Sequence, residues 1–164
     1  MKHVSKMAMA ATAAFIGAST ASADTLPTHR IPAALAAEAV SEAVAACARQ
    51  GYHETAVVLD ADGATIAALR GDGAGIHTLD SANDKAYTSA SFKADTGALV
   101  ERAKSTPVLV NLFKLPHLLL LGGGVVIKIG DEVVGAVGAA GAPGGDLDEG
   151  CARAGLDKVK DRLR

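Results

Sequence analysis

Apolar residues recur every three or four positions in the first strongly patterned part of the chain. Ile31-Pro32 is followed by AALAAEAVSEAVAACARQG, in which Val40, Val44 and Cys47 keep this spacing. Side chains at this spacing share one face of a helix. Gly51 stands where helices commonly end, because glycine tolerates the left-handed conformation. The pattern predicts a first helix that ends just before Gly51.

Two pairs of short apolar runs predict two β-hairpins. TAVVLD and TIAALR flank a turn at Asp62-Gly63, whereas GGGVVIKI and EVVGAVGAAG flank a turn at Gly130-Asp131. Glycine suits both turns, because tight hairpins need a residue that accepts a positive φ. We therefore expect antiparallel pairing within each pair of strands.

The polar segment between the hairpins becomes helical after Asp80, and Thr96 is a candidate cap for a further short helix. The looser apolar run VLVNLFKLPHLLLL, residues 108–121, leads into the second hairpin. The element order is then helix, two strands, helical insertion, two or three strands and helix. This order predicts an α+β fold, in which helices pack on an antiparallel sheet, rather than a doubly wound parallel sheet.

A glycine-rich segment, GAVGAAGAPGGDLDEGCARAGL, opens the last predicted helix. Asp146 is a candidate N-cap, with Glu149 three residues later. Together with Asp148 these carboxylates would repel a phosphate at the helix start. The spacings of the P-loop and of the dinucleotide fingerprint do not occur in the chain. Nucleotide binding is therefore disfavoured.

The glycines of that segment need another explanation. A glycine inside a strand often marks a place where another backbone or a flat ligand approaches closely. We assign this role to Gly135, Gly138 and Gly141.

The start of the chain has the pattern of a secretory signal. Lys2 and Lys6 precede an apolar run that ends in Ala21-Ser22-Ala23. This pattern predicts a signal peptide over residues 1–23, a single domain over residues 24–164, and a periplasmic or secreted protein. Loss of the two lysines moves the formal net charge from −2 to −4. Such a surface disfavours nucleic acid as a partner, and no later apolar run is long enough for membrane insertion.

The two cysteines, Cys47 and Cys151, lie on predicted inner faces of helices. An exported chain permits a disulfide between them. A buried free thiol also packs well as a small apolar group, and we expect the unbridged state, although the sequence leaves the pairing open. The spacings of zinc sites are not found.

Three strings, VVLDADGATIAALRGDGAG, SANDKAYTSASFKADTGAL and the glycine-rich segment, occur in this order. With them the chain resembles the haem-degrading domain family of GlcG- and HbpS-like proteins, from about Pro32 to Val159. The family is also similar in fold to the C-terminal domain of PduO-type corrinoid adenosyltransferases. The resemblance implies a five-stranded antiparallel sheet flanked by helices, in a profilin-like layered architecture. It also implies haem as the ligand, a homo-oligomer and a membrane sensor kinase as a possible partner.

Two positions depart from the family pattern. A threonine that contributes to haem binding in HbpS-like members is replaced within Pro116-His117-Leu118. The acidic E-x-x-E pair associated with iron is Asp80-Ser81-Ala82-Asn83 here, so that Asp80 is left as a weak metal ligand.

Imidazole is among the commonest ligands of haem iron, and His117 and His77 are the favoured candidates over His29 and His53. Lys85 and Arg70 could pair with haem propionates. The full set of haem-binding candidates is His117, Leu118, His77, Lys85 and Arg70. Three of these have a plainer explanation: a core or interface histidine bonded to a carbonyl for His117, a surface histidine for His77, and an ion pair with Asp80 or Asp84 for Lys85.

The sequence therefore predicts an exported haem-binding protein, in which binding without turnover is favoured and haem degradation or sensing stays open. One alternative is a periplasmic accessory protein or enzyme of small organic acid or alcohol oxidation that uses the same pocket. Another is a protein-binding module of a sensor kinase system.

Overall fold

Helices cover both faces of an antiparallel sheet in the computed structural model, which describes residues 26–164. The predicted signal peptide lies outside the described residues. No helix within this range is long and apolar enough to cross a membrane. In chain order the elements are α1 (Ala33–Ala48), β1 (Thr55–Asp60), β2 (Thr65–Arg70), α2 (Thr78–Phe92), α3 (Thr96–Ser105), a 3-10 helix (Pro107–Lys114), β3 (Gly124–Ile129), β4 (Glu132–Ala140), α4 (Gly145–Val159) and a final 3-10 turn (Lys160–Arg162).

The sheet has the strand order β2-β1-β4-β3, and every neighbouring pair is antiparallel. Ala56 and Val58 of β1 pack under α1 and α4, whereas Val57 and Leu59 face α2. Because both faces are covered, β1 is a nearly continuous apolar run rather than an alternating one. The predicted α+β class and both hairpins are confirmed.

The prediction of five strands is wrong, because the sheet of residues 26–164 has four. The apolar segment before β3 instead forms the 3-10 helix Pro107–Lys114 and a turn. Pro107 and Pro116 have no N–H to donate to a strand ladder. His117 adds a positive φ of 65°. These features stop the segment from pairing with the edge of β3.

The predicted side-chain caps are also absent from α3 and α4. Helix α4 begins after Gly144, with no side-chain cap, and Asp146 lies inside its first turn. Glu149 accepts instead from the Gly97 amide at 3.1 Å. Thr96 is the first residue of α3 rather than its cap, and its buried hydroxyl accepts from the Gly124 amide at 2.8 Å. Glu149 and Thr96, which the local pattern assigned to capping, therefore bond to residues that are distant in sequence.

Cys47 of α1 and Cys151 of α4 form a disulfide, so the expectation of free thiols is wrong. Their Cα atoms lie 5.6 Å apart, within the usual range for a bridge. This short separation depends on close packing of the two helices. A Cβ on Gly155 of α4 would collide with the Ala39 carbonyl of α1. The sequence spacing alone did not reveal this contact.

Gly138 of β4 allows α2 to lie directly against the sheet. A Cβ at this position would collide with the Ala82 carbonyl and lie 2.8 Å from the Ala86 amide nitrogen. Gly141 likewise faces the His53 carbonyl, and Gly135 faces that of Leu59. The strand glycines therefore serve close approach of another backbone, one of the two roles predicted for them.

We expect Gly138→Ala to lower the free energy of unfolding by about 1–3 kcal/mol, because an overpacked core forces the backbone of α2 to shift. Gly150→Ala is the matched control, since nothing lies within 4 Å of a Cβ there. Alanine in the interior of α4 should stabilise by up to about 1 kcal/mol. Denaturant unfolding of both variants measures the difference, and equal effects would contradict the packing argument.

Candidate functional site

A cleft of about 530 Å³ opens between the N-terminal ends of α2 and α4, within the ~300–1,000 Å³ typical of ligand pockets. Its walls include residues 73–78, which lead into α2, and residues 140–145, which lead into α4. The side chains that give the cleft its chemistry are those of His53, His77, Ser81, Lys85, Leu121 and Asp148.

The floor of the cleft holds a buried ion pair. The Lys85 ammonium lies 2.5 Å from Asp148 Oδ2 and donates to the Ala139 carbonyl at 3.1 Å. Asp148 Oδ1 accepts from the Ala142 amide at 2.9 Å. Lys85 is only 3% exposed, so the proposed pairing with Asp80 or Asp84 is wrong. Because an ammonium has three N–H groups, and described residues take two, one remains for a ligand in the cleft.

The glycines before β3 make room for this lysine. Gly123 has a φ of +122°, and a Cβ on it would lie 2.9 Å from Asp148 Cβ and 3.0 Å from Lys85 Cδ. The lysine side chain starts on α2, on one face of the sheet, and ends at α4 on the other. The Gly-Gly-Gly run is thus the signal in the sequence for a side chain that passes the strand ends from one face of the sheet to the other.

Glu54, just before β1, is a buried carboxyl group that sequence reasoning missed. It is 1% exposed, and neither carboxylate oxygen has a hydrogen-bond partner in the described structure. Burial first, and then the negative charge of Asp148, raise the pKa of Glu54 to about 8. The group is therefore mostly protonated at neutral pH. Its one signal was a carboxylate placed directly ahead of the apolar strand TAVVLD.

Two imidazoles line the mouth of the cleft. His53 Nδ1 donates to the Asp72 carbonyl at 2.7 Å, which fixes the ring. His77 is exposed and immediately precedes α2. Cβ atoms on Gly73 and Gly75 would lie 2.8 Å and 2.7 Å from the His53 and His77 rings, respectively. The two glycines therefore let the rings lie against the loop backbone.

His117 lies outside the cleft lining, across the exposed side of α2. Its side chain is 66% exposed, and its Nδ1 lies 3.3 Å from Asp84 Oδ1. The Tyr87 ring stands edge-on, with a centroid separation of 5.9 Å. The explanation of His117 as a core histidine is therefore wrong, whereas its explanation as an interface histidine stays a prediction. Leu118, beside it, is half-buried.

The cleft brings together two of the predicted residues, His77 and Lys85, and does not include the others. Arg70 is exposed at the end of β2. Asp80 is exposed in the first turn of α2, and Asn83 accepts from the Thr65 hydroxyl at 3.4 Å. Within residues 26–164, Asp80 has no place in a cluster of three or more metal-ligating side chains.

Comparison with known proteins gives close similarity over most of the chain. The family model for "Haem degrading protein HbpS-like" matches residues 31–157. A crystal structure of HbpS is 37% identical, with a TM-score of 0.77, and the alignment covers 83% of this chain and 94% of that one. A double mutant of Streptomyces reticuli HbpS is 38% identical, with a TM-score of 0.76 and coverage of 92% and 98%. The search of curated sequences found no match.

A more distant structure shares the fold alone. The crystal structure of a PduOC:heme complex is 20% identical, with a TM-score of 0.68, and the alignment covers 73% of this chain and 88% of that one. The matches to HbpS, to its family model and to this fold confirm the resemblance found in the order of the sequence motifs.

We expect Lys85→Met to lower the free energy of unfolding by about 3–5 kcal/mol, because it leaves a buried carboxylate without its cation. The double variant Lys85→Met/Asp148→Asn should recover part of this loss, since the amide oxygen still accepts from Ala142. Lys104→Met is the control, because Lys104 pairs with Glu101 at the surface and exposed pairs contribute ~0–1 kcal/mol. If denaturant unfolding shows no recovery in the double variant, charge is not the cause.

The raised pKa of Glu54 predicts a stability that depends on pH. The protonated acid stabilises the native state fully below its ordinary pKa of 4.5, and this contribution is lost as the pH rises through about 8. Glu54→Gln keeps a neutral group at every pH, so its free energy of unfolding should rise relative to wild type across that window. Denaturant unfolding at several pH values measures this difference. The exposed Glu101→Gln is the control, and a pH dependence of Glu54→Gln no larger than that of this control would refute the assignment.

Proposed function

Because the chain belongs to the HbpS-like family of haem-degrading proteins, we propose that it is an exported protein that binds haem through His117. Export rests on the signal pattern of residues 1–23. Binding without turnover is the proposed activity, with haem as cargo or signal rather than substrate. A homo-oligomer and a membrane sensor kinase are proposed as partners, on the family resemblance alone.

The observation that carries the choice of ligand is the contact between His117 and Asp84. Their 3.3 Å separation lets the Asp84 carboxylate accept the Nδ1 proton. Histidines that ligate metals commonly donate their other ring N–H to a carboxylate, which fixes the tautomer. With Nδ1 paired in this way, Nε2 of the exposed ring would be the atom that ligates haem iron.

The backbone at His117 supports the same choice. Its φ of 65° is rarely adopted by a residue with a side chain. Conformations of this kind cost ~1–3 kcal/mol and concentrate at ligand sites. Here the conformation accompanies the contact of the exposed imidazole with Asp84 on α2.

Apolar surface for a porphyrin lies in the same segment. Val108, Leu112, Leu115 and Leu121 are all exposed large apolar side chains. Binding sites for flat organic ligands are lined mainly by such groups, with a few polar anchors. We propose that these side chains contact the ring and that Leu118 supports them from its half-buried position. The third N–H of Lys85 and the exposed Arg70 guanidinium are the proposed cations for the propionates.

His77 is the alternative ligand, because it is exposed at the cleft and begins the same helix as Asp84. Seven residues separate the two positions, which corresponds to roughly 10 Å along a helix. A test of the ligand must therefore treat the two histidines separately.

A second function is favoured by the cleft itself. Two imidazoles and the N-terminus of α4, which has no side-chain cap, surround it. The third N–H of Lys85, on the floor of the cleft, would donate to a carboxylate, and the Asp148 carboxylate there is already paired with this lysine. The cleft would then bind a small organic acid, as expected of an accessory protein or enzyme of periplasmic oxidation.

The test is a haemin titration of the mature chain, residues 24–164. We expect a saturable shift of the Soret band, which His117→Ala abolishes or moves. Asp84→Asn should weaken binding by about 10–100-fold, the cost typical of losing the partner of a metal-bound histidine. His29→Ala is the matched control, because this exposed imidazole contacts Glu132 at the opposite end of the hairpin β3–β4. An unchanged spectrum in His117→Ala, with a changed one in His77→Ala, would move the ligand to His77.

The Soret absorbance over time distinguishes haem as cargo or signal from haem as a substrate. A stable band in the presence of oxygen and a reductant fits a carrier or sensor. Bleaching that needs oxygen and resists catalase means haem degradation. No saturable shift at all would refute haem binding and favour the small organic acid, which ligand-induced changes in thermal stability would then detect.

A further inference from the structure

Three buried side chains form a cluster that adjoins the floor of the cleft, because one of them, Glu54, lies near Asp148. The Cys47 and Cys151 sulfurs and a Glu54 carboxylate oxygen all lie within 4.8 Å of one another. Both cysteines are fully buried, and the Glu54 carboxyl is aimed at the bridge with neither oxygen hydrogen-bonded in the described chain. Buried polar groups are nearly always paired, so an unpaired one needs an explanation.

The chemistry of the cluster changes when the disulfide is reduced. A dithiol reductant supplies two electrons and two protons, the S–S bond breaks, and the reductant leaves as a cyclic disulfide. The protein then holds two thiols beside a carboxyl group. Loss of their protons gives two thiolates and a carboxylate, a donor set suited to Zn²⁺.

The distances fit one ion. Zinc binds thiolate sulfur at ~2.3 Å and carboxylate oxygen at ~2.0–2.2 Å, so that ligand atoms around it lie within about 4 Å of one another. The three donors need only small side-chain movements from their present positions. The packing of α1 against α4 at Ala39 and Gly155 keeps the helices together whether or not the bridge is formed.

We propose that the reduced protein binds one Zn²⁺ ion through Cys47, Cys151 and Glu54, so that disulfide and metal are mutually exclusive states of one buried site. In the oxidised state Glu54 has no hydrogen-bond partner in the described residues, and the Asp148 carboxylate lies near it, so a cation bound here would offset their repulsion. Gln50 supports the thiolate form, since its side-chain amide lies 3.9 Å from the Cys151 sulfur and can donate to it.

A second cleft, of about 300 Å³, is lined by Ala48, Tyr52, His53 and Glu54, and therefore adjoins the carboxyl side of the cluster. Water in this cleft can supply the fourth ligand of a tetrahedral ion.

The test uses the mature chain, reduced with a phosphine that takes up oxygen from water and leaves no competing thiol. Cd²⁺ is the probe, because its bonds to thiolates absorb in the near ultraviolet. We expect one Cd²⁺ per chain with this band in the reduced protein and none in the oxidised protein. Zn²⁺ should displace it at the same stoichiometry.

Variants assign the ligands. Glu54→Gln should weaken Cd²⁺ binding by roughly tenfold or more, because even loss of an outer-shell partner costs about 10–100-fold. Cys151→Ala should reduce the thiolate band to about half, and Glu101→Gln, at the surface, should leave it unchanged. Equal Cd²⁺ affinity of Glu54→Gln and wild type would overturn the proposal. So would the absence of the thiolate band in the reduced protein. Unfolding of the protein on reduction, detected by circular dichroism, would overturn it as well. None of these measurements involves haem, so failure here is distinct from failure of the proposed function.

Discussion

A lysine that passes the strand ends of the sheet joins the helices packed on its two faces. Lys85 leaves α2, passes the start of β3 and the end of β4, and meets Asp148 of α4 in a buried contact. The pair costs desolvation energy, which its geometry and the bonds to Ala139 and Ala142 offset. The contact ties the middle of α2 to the first turn of α4 at the floor of the cleft.

Glycine and alanine make that arrangement possible. Gly123 gives the lysine its passage, Gly138 lets α2 touch β4, and Gly155 lets α4 touch α1. With few aromatic side chains, the core fills space by bringing backbones together rather than by inserting large groups. Close backbone packing makes these glycines hard to replace, because the Cβ of any other residue would meet a backbone carbonyl rather than a movable side chain.

Local sequence patterns predicted the helices and strands well where interactions between neighbouring residues determine them. The spacing of Val40, Val44 and Cys47 and the turns at Gly63 and Gly130 contain enough information to place α1 and both hairpins. The motif order also identified the family, and with it the fold. Residues 107–121 were harder, because an apolar run can be a strand or an irregular segment, and two prolines decided the outcome.

The site was predicted only in part, because its geometry depends on contacts between distant residues. Two of the predicted residues, His77 and Lys85, line one cleft, yet the partner of Lys85 lies 63 residues away in sequence. Glu54 drew no attention, since a carboxylate before a strand usually faces solvent. The disulfide between Cys47 and Cys151 required knowledge of how α1 meets α4, which no spacing within one helix contains.

That disulfide also determines whether the fragments stay joined after a protease cuts the backbone. It joins α1, before the first strand, to α4, after the last strand, and the two cysteines are 104 residues apart in sequence. The most exposed apolar stretch, residues 107–121, lies inside this loop. A single backbone cut there would leave two pieces still joined covalently and still sharing one sheet. Nicked protein would therefore keep its mass under oxidising conditions and separate into fragments only after reduction and unfolding.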